Sequence, residues 1–340
     1  MKYYIKTIKF KTLVIIFLLK FHLIILLAGL SIYNSATTVS QNVFFGEFDL
    51  GGVKKEEVEN YLNSVANNYY IEPSEAYIDP ETQSLIPHLN GFELNVEKTA
   101  EKIISSSKGE SVQPVLNTIF PETKVNDFSD IPIYQGHPTK KMASFVINVS
   151  WGTEYLLEML DILEDNDCQA NFFLVGKWAD ENEDIVRKIH KGGHVIGNHG
   201  YSDPYMSKIP EREIIEEIEK TNTAIENVID KRPVYFSPPY GEKEKRIFKT
   251  ASDTDMVNVL WSLDTIDWQR PGSENMADRI LDNIHNGAII LMHPTEQTPQ
   301  ALEMMIKGIR DKGYEIVDME KMLCPNYHKG NFGELKQNFK

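Results

Sequence analysis

Seven short apolar runs alternate with helical patterns over the C-terminal two-thirds of the chain. The strand-like runs lie at residues 144–149, 172–175, 194–196, 234–236, 257–260, 288–292 and 315–317. Between them, apolar residues recur at helical spacing, as in the stripe formed by Leu156, Met159, Leu160 and Leu163. Alternating strands and helices predict an α/β fold with a parallel sheet, and this length suits a distorted (β/α) barrel of about seven strands. In such a barrel, functional side chains lie at the carboxyl ends of the strands.

The first 40 residues predict a transmembrane anchor. They hold five lysines and no acidic residue, and fifteen Leu, Ile, Val or Phe residues lie between positions 13 and 32. Each of these apolar residues favours insertion by about 0.3–0.6 kcal/mol, whereas Lys20 opposes it by only about 3 kcal/mol. The flanking lysines place the N-terminus in the cytoplasm, so we expect a single-pass protein of the cell membrane whose later domains are extracellular. The alternative is secretion after signal cleavage, although Asn34-Ser35-Ala36 is a poor cleavage site.

The rest of the chain is acidic, which bears on its partners. The whole chain has 35 basic and 50 acidic residues, so without the five N-terminal lysines residues 41–340 carry 30 against 50, a net charge of −20. Phosphate binding needs basic patches, so nucleic acid is excluded as a partner. A neutral glycan or a cationic envelope component fits this surface better. The two cysteines allow at most one disulfide, and Cys168 is expected in the core.

Residues 41–121 predict a small α+β domain of two helices and short strands. Its Asp49-Leu50-Gly51-Gly52 turn and the segment at residues 90–99 resemble a peptidoglycan-binding module of Gram-positive surface proteins. The alternative is a spacer that holds the following domain away from the membrane. The remaining boundaries predicted from the sequence are a linker at 122–141, the α/β domain at 142–324 and a tail at 325–340.

Five motifs follow the predicted strands in order. They are Asn148-Val149-Ser150-Trp151-Gly152, Gly197-Asn198-His199, Phe236-Ser237-Pro238-Pro239-Tyr240-Gly241, Asp264-Thr265-Ile266-Asp267-Trp268 and Leu291-Met292-His293-Pro294. Between about Lys141 and Leu323 the chain thereby resembles the polysaccharide deacetylase family (NodB-homology domain, carbohydrate esterase family 4). Its first motif further resembles a subgroup from Gram-positive spore formers.

The resemblance implies removal of an acetyl group from an N-acetylated sugar. A divalent metal, commonly zinc, is held in the family by one Asp and two His and polarises the attacking water and the carbonyl. A second Asp is the base, a late His is the acid, and an Arg orients the base. A backbone N–H, at the Tyr240 position here, helps to stabilise the oxyanion.

Carried over to this chain, four of these positions are replaced. Ser150 stands at the base position and Trp151 at the metal-ligand Asp position, where a hydroxyl lacks basicity and an indole cannot bind zinc. Asp203 replaces the second His, and Ser237 replaces the Arg. Only His199 and Asp203 remain as candidate metal ligands, so zinc or another divalent metal is implied by the family without a complete ligand set in the sequence.

Other positions of the motifs are retained. His293 keeps the position of the acid, and Asp267 keeps an acidic residue that either becomes solvated once the Arg is absent or acts as a replacement base. The resemblance places four further residues at substrate-binding positions: Pro239, Tyr240, Trp268 and Leu291. For Trp268 and Leu291, ordinary packing in the core is an equally good interpretation as substrate binding.

Three functions follow from this pattern. The favoured prediction is a surface deacetylase-like protein with lost or strongly reduced zinc-dependent activity, which binds peptidoglycan or another N-acetylated glycan. The first alternative is an active hydrolase with a rebuilt site that uses His199, Asp203, Asp267 and His293. The second is a membrane-tethered structural scaffold, because a fold alone does not define a function.

Overall fold

The computed structural model of this protein describes residues 10–326, with side chains described at 15–29 and from residue 37 onward. The helices are α1 (Phe10–Thr37), α2 (Lys55–Val65), α3 (Val96–Ser105), α4 (Glu154–Asp165), α5 (Gly176–Glu181), α6 (Glu183–Lys191), α7 (Glu211–Ile229), α8 (Lys245–Ser252), α9 (Ser273–Asn283), α10 (Thr298–Asp311) and α11 (Met319–Leu323). Most of the predicted tail, residues 327–340, lies outside the described residues.

The strands are short except in the centre of the larger sheet. They are β1 (Phe44–Phe45), β2 (Phe48–Asp49), β3 (Tyr77–Ile78), β4 (Leu85–Ile86), β5 (Gly91–Leu94), β6 (Ser111–Val112), β7 (Leu116–Ile119), β8 (Met142–Val149), β9 (Asn171–Leu174), β10 (Val195–Asn198), β11 (Tyr235–Phe236), β12 (Val257–Asn258), β13 (Leu263–Asp264), β14 (Ala288–Met292) and β15 (Glu315–Ile316).

Helix α1 covers much of the segment expected to span a membrane. Apolar side chains in its fully described part are exposed, for example Phe17 and Leu19. Across the described residues, no helix combines the length and the apolar character needed to cross a membrane. The described part of the chain therefore does not support the predicted anchor, and residues 1–9 of that prediction lie outside it.

The chain divides into two compact units that are not continuous in sequence. The smaller contains the described residues up to Glu72 together with Gly91–Ile119, and the larger contains Pro73–Asn90 and the chain from Phe120 onward. The sequence predicts that residues 73–90 belong to the small domain and that residues 122–141 form a linker. In the structure these segments belong to the larger unit, because Ala76, Leu85 and Ile133 are buried in a core shared with its sheet.

The smaller unit packs two helices over short strands. Strand β5 pairs with β7 in an antiparallel manner, and β1 lies between β2 and β6. The core combines Val58 and Leu62 of α2 with Ile103 of α3. Helix α3 begins after Asn95, whose side chain accepts a hydrogen bond from the backbone N–H of Lys98 at 2.9 Å and so satisfies one free amide of the first turn.

The larger unit is an α/β half-barrel. Its strands are paired in the order β12-β11-β10-β9-β8-β14-β13, and every pair is parallel. Strand β15 adds a parallel pair at the N-terminal end of β8. All eight residues of β8 are buried, as expected for a central strand covered on both faces. The predicted α/β fold with about seven parallel strands is thus confirmed, and β13 is a short strand that the sequence analysis missed.

Candidate functional site

The motif residues lie at the carboxyl ends of β8, β10, β11, β13 and β14. Because these strands are parallel, their carboxyl ends share one edge of the half-barrel. Residues far apart in the sequence consequently meet there. The rings of Trp151, after β8, and His293, after β14, are stacked with centroids 6.0 Å apart and an interplanar angle of 15°.

His293 and Asp267 form a hydrogen-bonded pair. The ring Nδ1–H of His293 donates to Asp267 Oδ1 at 2.8 Å, and the backbone N–H of His293 donates to the other carboxylate oxygen. Asp267 is fully buried, whereas the His293 side chain is 18% exposed. Asp267 is therefore neither solvated nor left without a partner by the replacement of the family's Arg.

His199 is a buried imidazole with a fixed orientation. Its Nδ1–H donates to the backbone carbonyl of Ser237 at 2.7 Å, which leaves the lone pair on Nε2. Burial lowers the pKa of His199 to about 4, against the opposing effect of the bond to Ser237, and nearby His293 lowers it further. The ring is consequently neutral at neutral pH.

Asp203 is held in a turn beside an aromatic stack. Its backbone adopts φ +58°, and the hydroxyl of Tyr240 donates to its carbonyl at 3.1 Å and to Oδ2 at 3.4 Å. Burial raises the pKa of Asp203, which the hydrogen bond from Tyr240 partly offsets. Tyr240 stacks on Tyr205 at 4.1 Å, and the Lys208 ammonium lies 4.2 Å from the Tyr205 ring centre. Sequence reasoning missed Tyr205 and Lys208, although Tyr205 follows Asp203 by two residues.

The loop after β8 presents Trp151 to solvent. The Trp151 side chain is 54% exposed, and Gly152 adopts φ +67°, which favours glycine. The indole N–H of Trp178 donates to the Gly152 carbonyl at 3.0 Å and fixes this loop against α5. Beside it lies a cavity of about 420 Å³. Its lining includes Ser150, Trp151, Thr153, Lys177, Asn182 and Asp203.

Ser237 leaves an unsatisfied polar group at the place where the resemblance expects an Arg. Its Oγ is buried and has no hydrogen-bond partner among the described residues, and the same is true of Asn148 Oδ1 in β8. Burying a hydroxyl without a partner is unfavourable. The unpaired Ser237 hydroxyl therefore lowers the stability of the fold at this position.

The four predicted substrate-binding residues have different surroundings. Leu291 is 3% exposed and packs in the inner core, which supports the core reading of this residue. Pro239 is buried as well. Trp268 is 63% exposed and Tyr240 is 56% exposed, so these two rings are accessible to a ligand.

The residues at the strand ends do not fit the family's metal. Within residues 10–326, no group of three or more His, Cys, Asp or Glu side chains is arranged to hold a metal ion. At the Asp ligand position, the Trp151 indole stacks on His293, and an indole offers no lone pair to a cation. His194, which immediately precedes β10, accepts a hydrogen bond from the backbone N–H of Ala170 at 3.2 Å and is a structural residue.

A parallel half-barrel with these motifs at its strand ends defines a protein of the deacetylase type. Residues 135–259 match the family model for polysaccharide deacetylase, and residues 51–115 match the model described as "Putative peptidoglycan binding domain". The chain is 40% identical over 269 residues to YlxY of Bacillus subtilis, which covers 79% of this chain and 84% of that protein. It is 33% identical over 174 residues to a peptidoglycan-N-acetylglucosamine deacetylase of Bacillus cereus, covering 50% of this chain and 63% of that protein.

Solved structures give the same result. The crystal structure of wild-type BA3943 from Bacillus anthracis, described as a pseudoenzyme of carbohydrate esterase family 4, matches with a TM-score of 0.66 and 34% identity, covering 80% of this chain and 96% of that one. A BA3943 mutant with restored enzymatic activity matches with the same TM-score and 33% identity, over 80% of this chain and 99% of that one. The chain belongs to the polysaccharide deacetylase family, carbohydrate esterase family 4, and is a peptidoglycan deacetylase-like protein.

Proposed function

We propose that this chain is a catalytically inactive deacetylase-like protein that binds N-acetylated glycan of the cell wall. The observation that carries the proposal is the position of Trp151, whose ring stacks on His293 at the place of a metal-ligating carboxylate. Amide hydrolysis at neutral pH needs an activated water. With Ser150 as the neighbouring residue, the described residues offer neither the family's base nor a complete set of metal ligands to activate it.

Within the described residues, the remaining polar groups do not form a complete rebuilt metal site. The Nδ1–H of His293 is used by Asp267, and the Nδ1–H of His199 is used by the Ser237 carbonyl. The Asp267 side chain is fully buried and is bonded to His293, so it does not face solvent water that it could deprotonate. An acid position is retained, but an acid alone does not hydrolyse an amide.

Two comparisons support a glycan of the cell wall as the ligand. A peptidoglycan-binding model matches residues 51–115, and relatives of the larger unit are deacetylases of peptidoglycan N-acetylglucosamine. The similar protein BA3943 is a pseudoenzyme, which supports a role without turnover for this chain as well.

We further propose that the chain acts on the outer side of the cell membrane. The support is the sequence of the first 40 residues, in which lysines flank a long apolar segment without acidic residues. Anchoring through this segment, or secretion after its cleavage, would both bring residues 41–326 to the wall. Membrane fractionation of cells, combined with protease accessibility of the later residues, separates anchored, secreted and internal protein.

Metal content and turnover test the loss of activity. The full-length chain, purified in mild detergent, is assayed for bound zinc and for release of acetate from chito-oligomers and peptidoglycan. The comparison protein carries Ser150→Asp, Trp151→Asp, Asp203→His and Ser237→Arg, which returns the four replaced positions to the family's residues. We expect acetate release and stoichiometric zinc in the comparison protein alone. Stoichiometric zinc in the unmodified chain, with turnover abolished by His199→Ala, would show an active hydrolase instead.

A further inference from the structure

The cavity beside Trp151 has the size and lining of a ligand site. Its volume of about 420 Å³ lies within the range of about 300–1,000 Å³ that is usual for small-molecule sites. It is bounded by the loop after β8, by α5 and by the loop after β10. In the family, residues of the first and third of these segments serve the metal, and here neither provides a complete set of ligands.

Trp151 provides an exposed aromatic surface at the edge of this cavity. The ring of His293 lies nearly parallel to the indole, with centroids 6.0 Å apart, and is itself held by two hydrogen bonds to buried Asp267. From the other side of the loop, the Trp178 indole holds the Gly152 carbonyl. The Trp151 side chain is 54% exposed, so much of its aromatic surface is accessible to a ligand.

The polar groups of the cavity suit a neutral sugar. The hydroxyls of Ser150 and Thr153 make no hydrogen bond to another residue in the described part of the chain, so both are available to a ligand. Asn182 donates one N–H to the Trp178 carbonyl at 2.8 Å and retains further capacity. The charged groups are of both signs, with Lys177 opposed by Glu181 and Asp203. A polyanion gains no net attraction there.

We propose that this cavity is the glycan site of the protein, with an N-acetylhexosamine ring stacked on the exposed indole of Trp151. The proposal rests on the proposed function, because it names where the glycan binds. The C–H groups of a pyranose carry partial positive charge, and the face of an indole is negative. In this position the hydroxyl and amide groups of the sugar face the side chains of Ser150, Thr153 and Asn182, which can form hydrogen bonds with them. The replacement of a metal ligand by tryptophan thereby turns a metal-dependent site into an aromatic binding site.

Binding of tetra-N-acetylchitotetraose to the full-length chain, measured by isothermal titration calorimetry, tests this assignment. We expect Trp151→Ala to weaken binding about tenfold or more, and Trp151→Tyr to recover part of the loss because it restores an aromatic face. Phe120→Ala is the matched control, since Phe120 is 65% exposed and lies outside the strand ends. Thermal unfolding of each variant verifies that the fold is intact.

The other outcomes distinguish failure of this site from failure of the proposed function. A large loss for Trp268→Ala with no effect of Trp151→Ala would overturn the proposal and place the sugar on the family's acetyl-binding side. If binding survives both substitutions, the assignment of the glycan to this cavity is also overturned. The smaller unit would then be the expected glycan site, and the proposed function would stand. If the unmodified chain binds neither the oligosaccharide nor peptidoglycan, the proposed function itself fails together with this site.

Discussion

Two buried histidines should make the larger unit sensitive to acid. His194 is 7% exposed and His199 is 3% exposed, and burial lowers the pKa of each from 6.5 to about 4. Both rings also use Nδ1 in a hydrogen bond, His194 as acceptor from Ala170 and His199 as donor to Ser237. Protonation of either ring in the folded state would place a charge in the interior.

The sign and size of the effect follow from the two states. In unfolded chains each imidazole takes up a proton below about pH 6.5, whereas in the folded protein it remains neutral down to about pH 4. The stability that these groups contribute is therefore complete above pH 6.5 and is lost as the pH falls to 4. The difference of 6.5 − 4, or 2.5 units, corresponds to about 3 kcal/mol for each histidine at about 1.4 kcal/mol per unit.

Urea unfolding at pH 7 and at pH 4, followed by tryptophan fluorescence, measures this loss. His194→Gln and His199→Gln will each alter stability at pH 7, but the quantity of interest is the drop between the two pH values. We expect each variant to lose about 3 kcal/mol less than the unmodified chain, while the exposed-site control His190→Gln loses the same amount. The unmodified chain and the three variants have the same carboxylates, so the titration of these groups contributes equally to the drop in all four proteins. An unchanged drop in both histidine variants would refute the reasoning.

Four further predictions concern other buried polar groups. Ser237→Ala should raise the free energy of unfolding by about 1 kcal/mol, because it removes a buried hydroxyl that has no partner among the described residues. Ser144→Ala should lower it by about 1–3 kcal/mol, since that hydroxyl bonds the Val317 carbonyl at 2.7 Å; thermal unfolding of the two variants should shift in opposite directions. Asp267→Asn should destabilise the fold by several kcal/mol and change the ring tautomer of His293, which ¹⁵N NMR detects. Burial lowers the pKa of Lys140 from 10.5 to about 8, so stability should rise as the pH increases from 8 towards 10.5; urea titrations at pH 8 and 9 should show a gain of about 1 kcal/mol that Lys140→Met removes.

The fold was predictable where apolar patterns are long and local. The run that became β8 is buried at every position, and its length and β-branched content identify a central strand. Strand β13 has only two residues, Leu263 and Asp264, which gives too little pattern to detect. The hairpin of β3 and β4 was recognised as strands but was assigned to the small domain, because its packing partners around Ile133 and Met142 lie far along the chain.

The site was predictable as a set of positions rather than as a set of contacts. The five motifs placed Trp151, Asp267 and His293 at strand ends, and the parallel sheet brings them to one edge. Nothing in the sequence pairs the Asp267 carboxylate with His293 instead of solvent, because this depends on the depth of the β13 loop. The stack of Tyr205 on Tyr240 likewise depends on two loops that carry φ values of +58° at Asp203 and +60° at Tyr240.

The retained histidine has a physical explanation that does not involve catalysis. Asp267 is completely buried, and an isolated carboxylate in such a position is strongly unfavourable unless it is paired and hydrogen-bonded. His293 supplies both hydrogen bonds, one from its ring and one from its backbone. Replacing His293 would leave the carboxylate without its ring partner, so the pair maintains the strand ends whether or not a proton is transferred. The ring of His293 also packs beside that of Trp151. A binding site can therefore lack the metal ligands and still retain the histidine of the acid position.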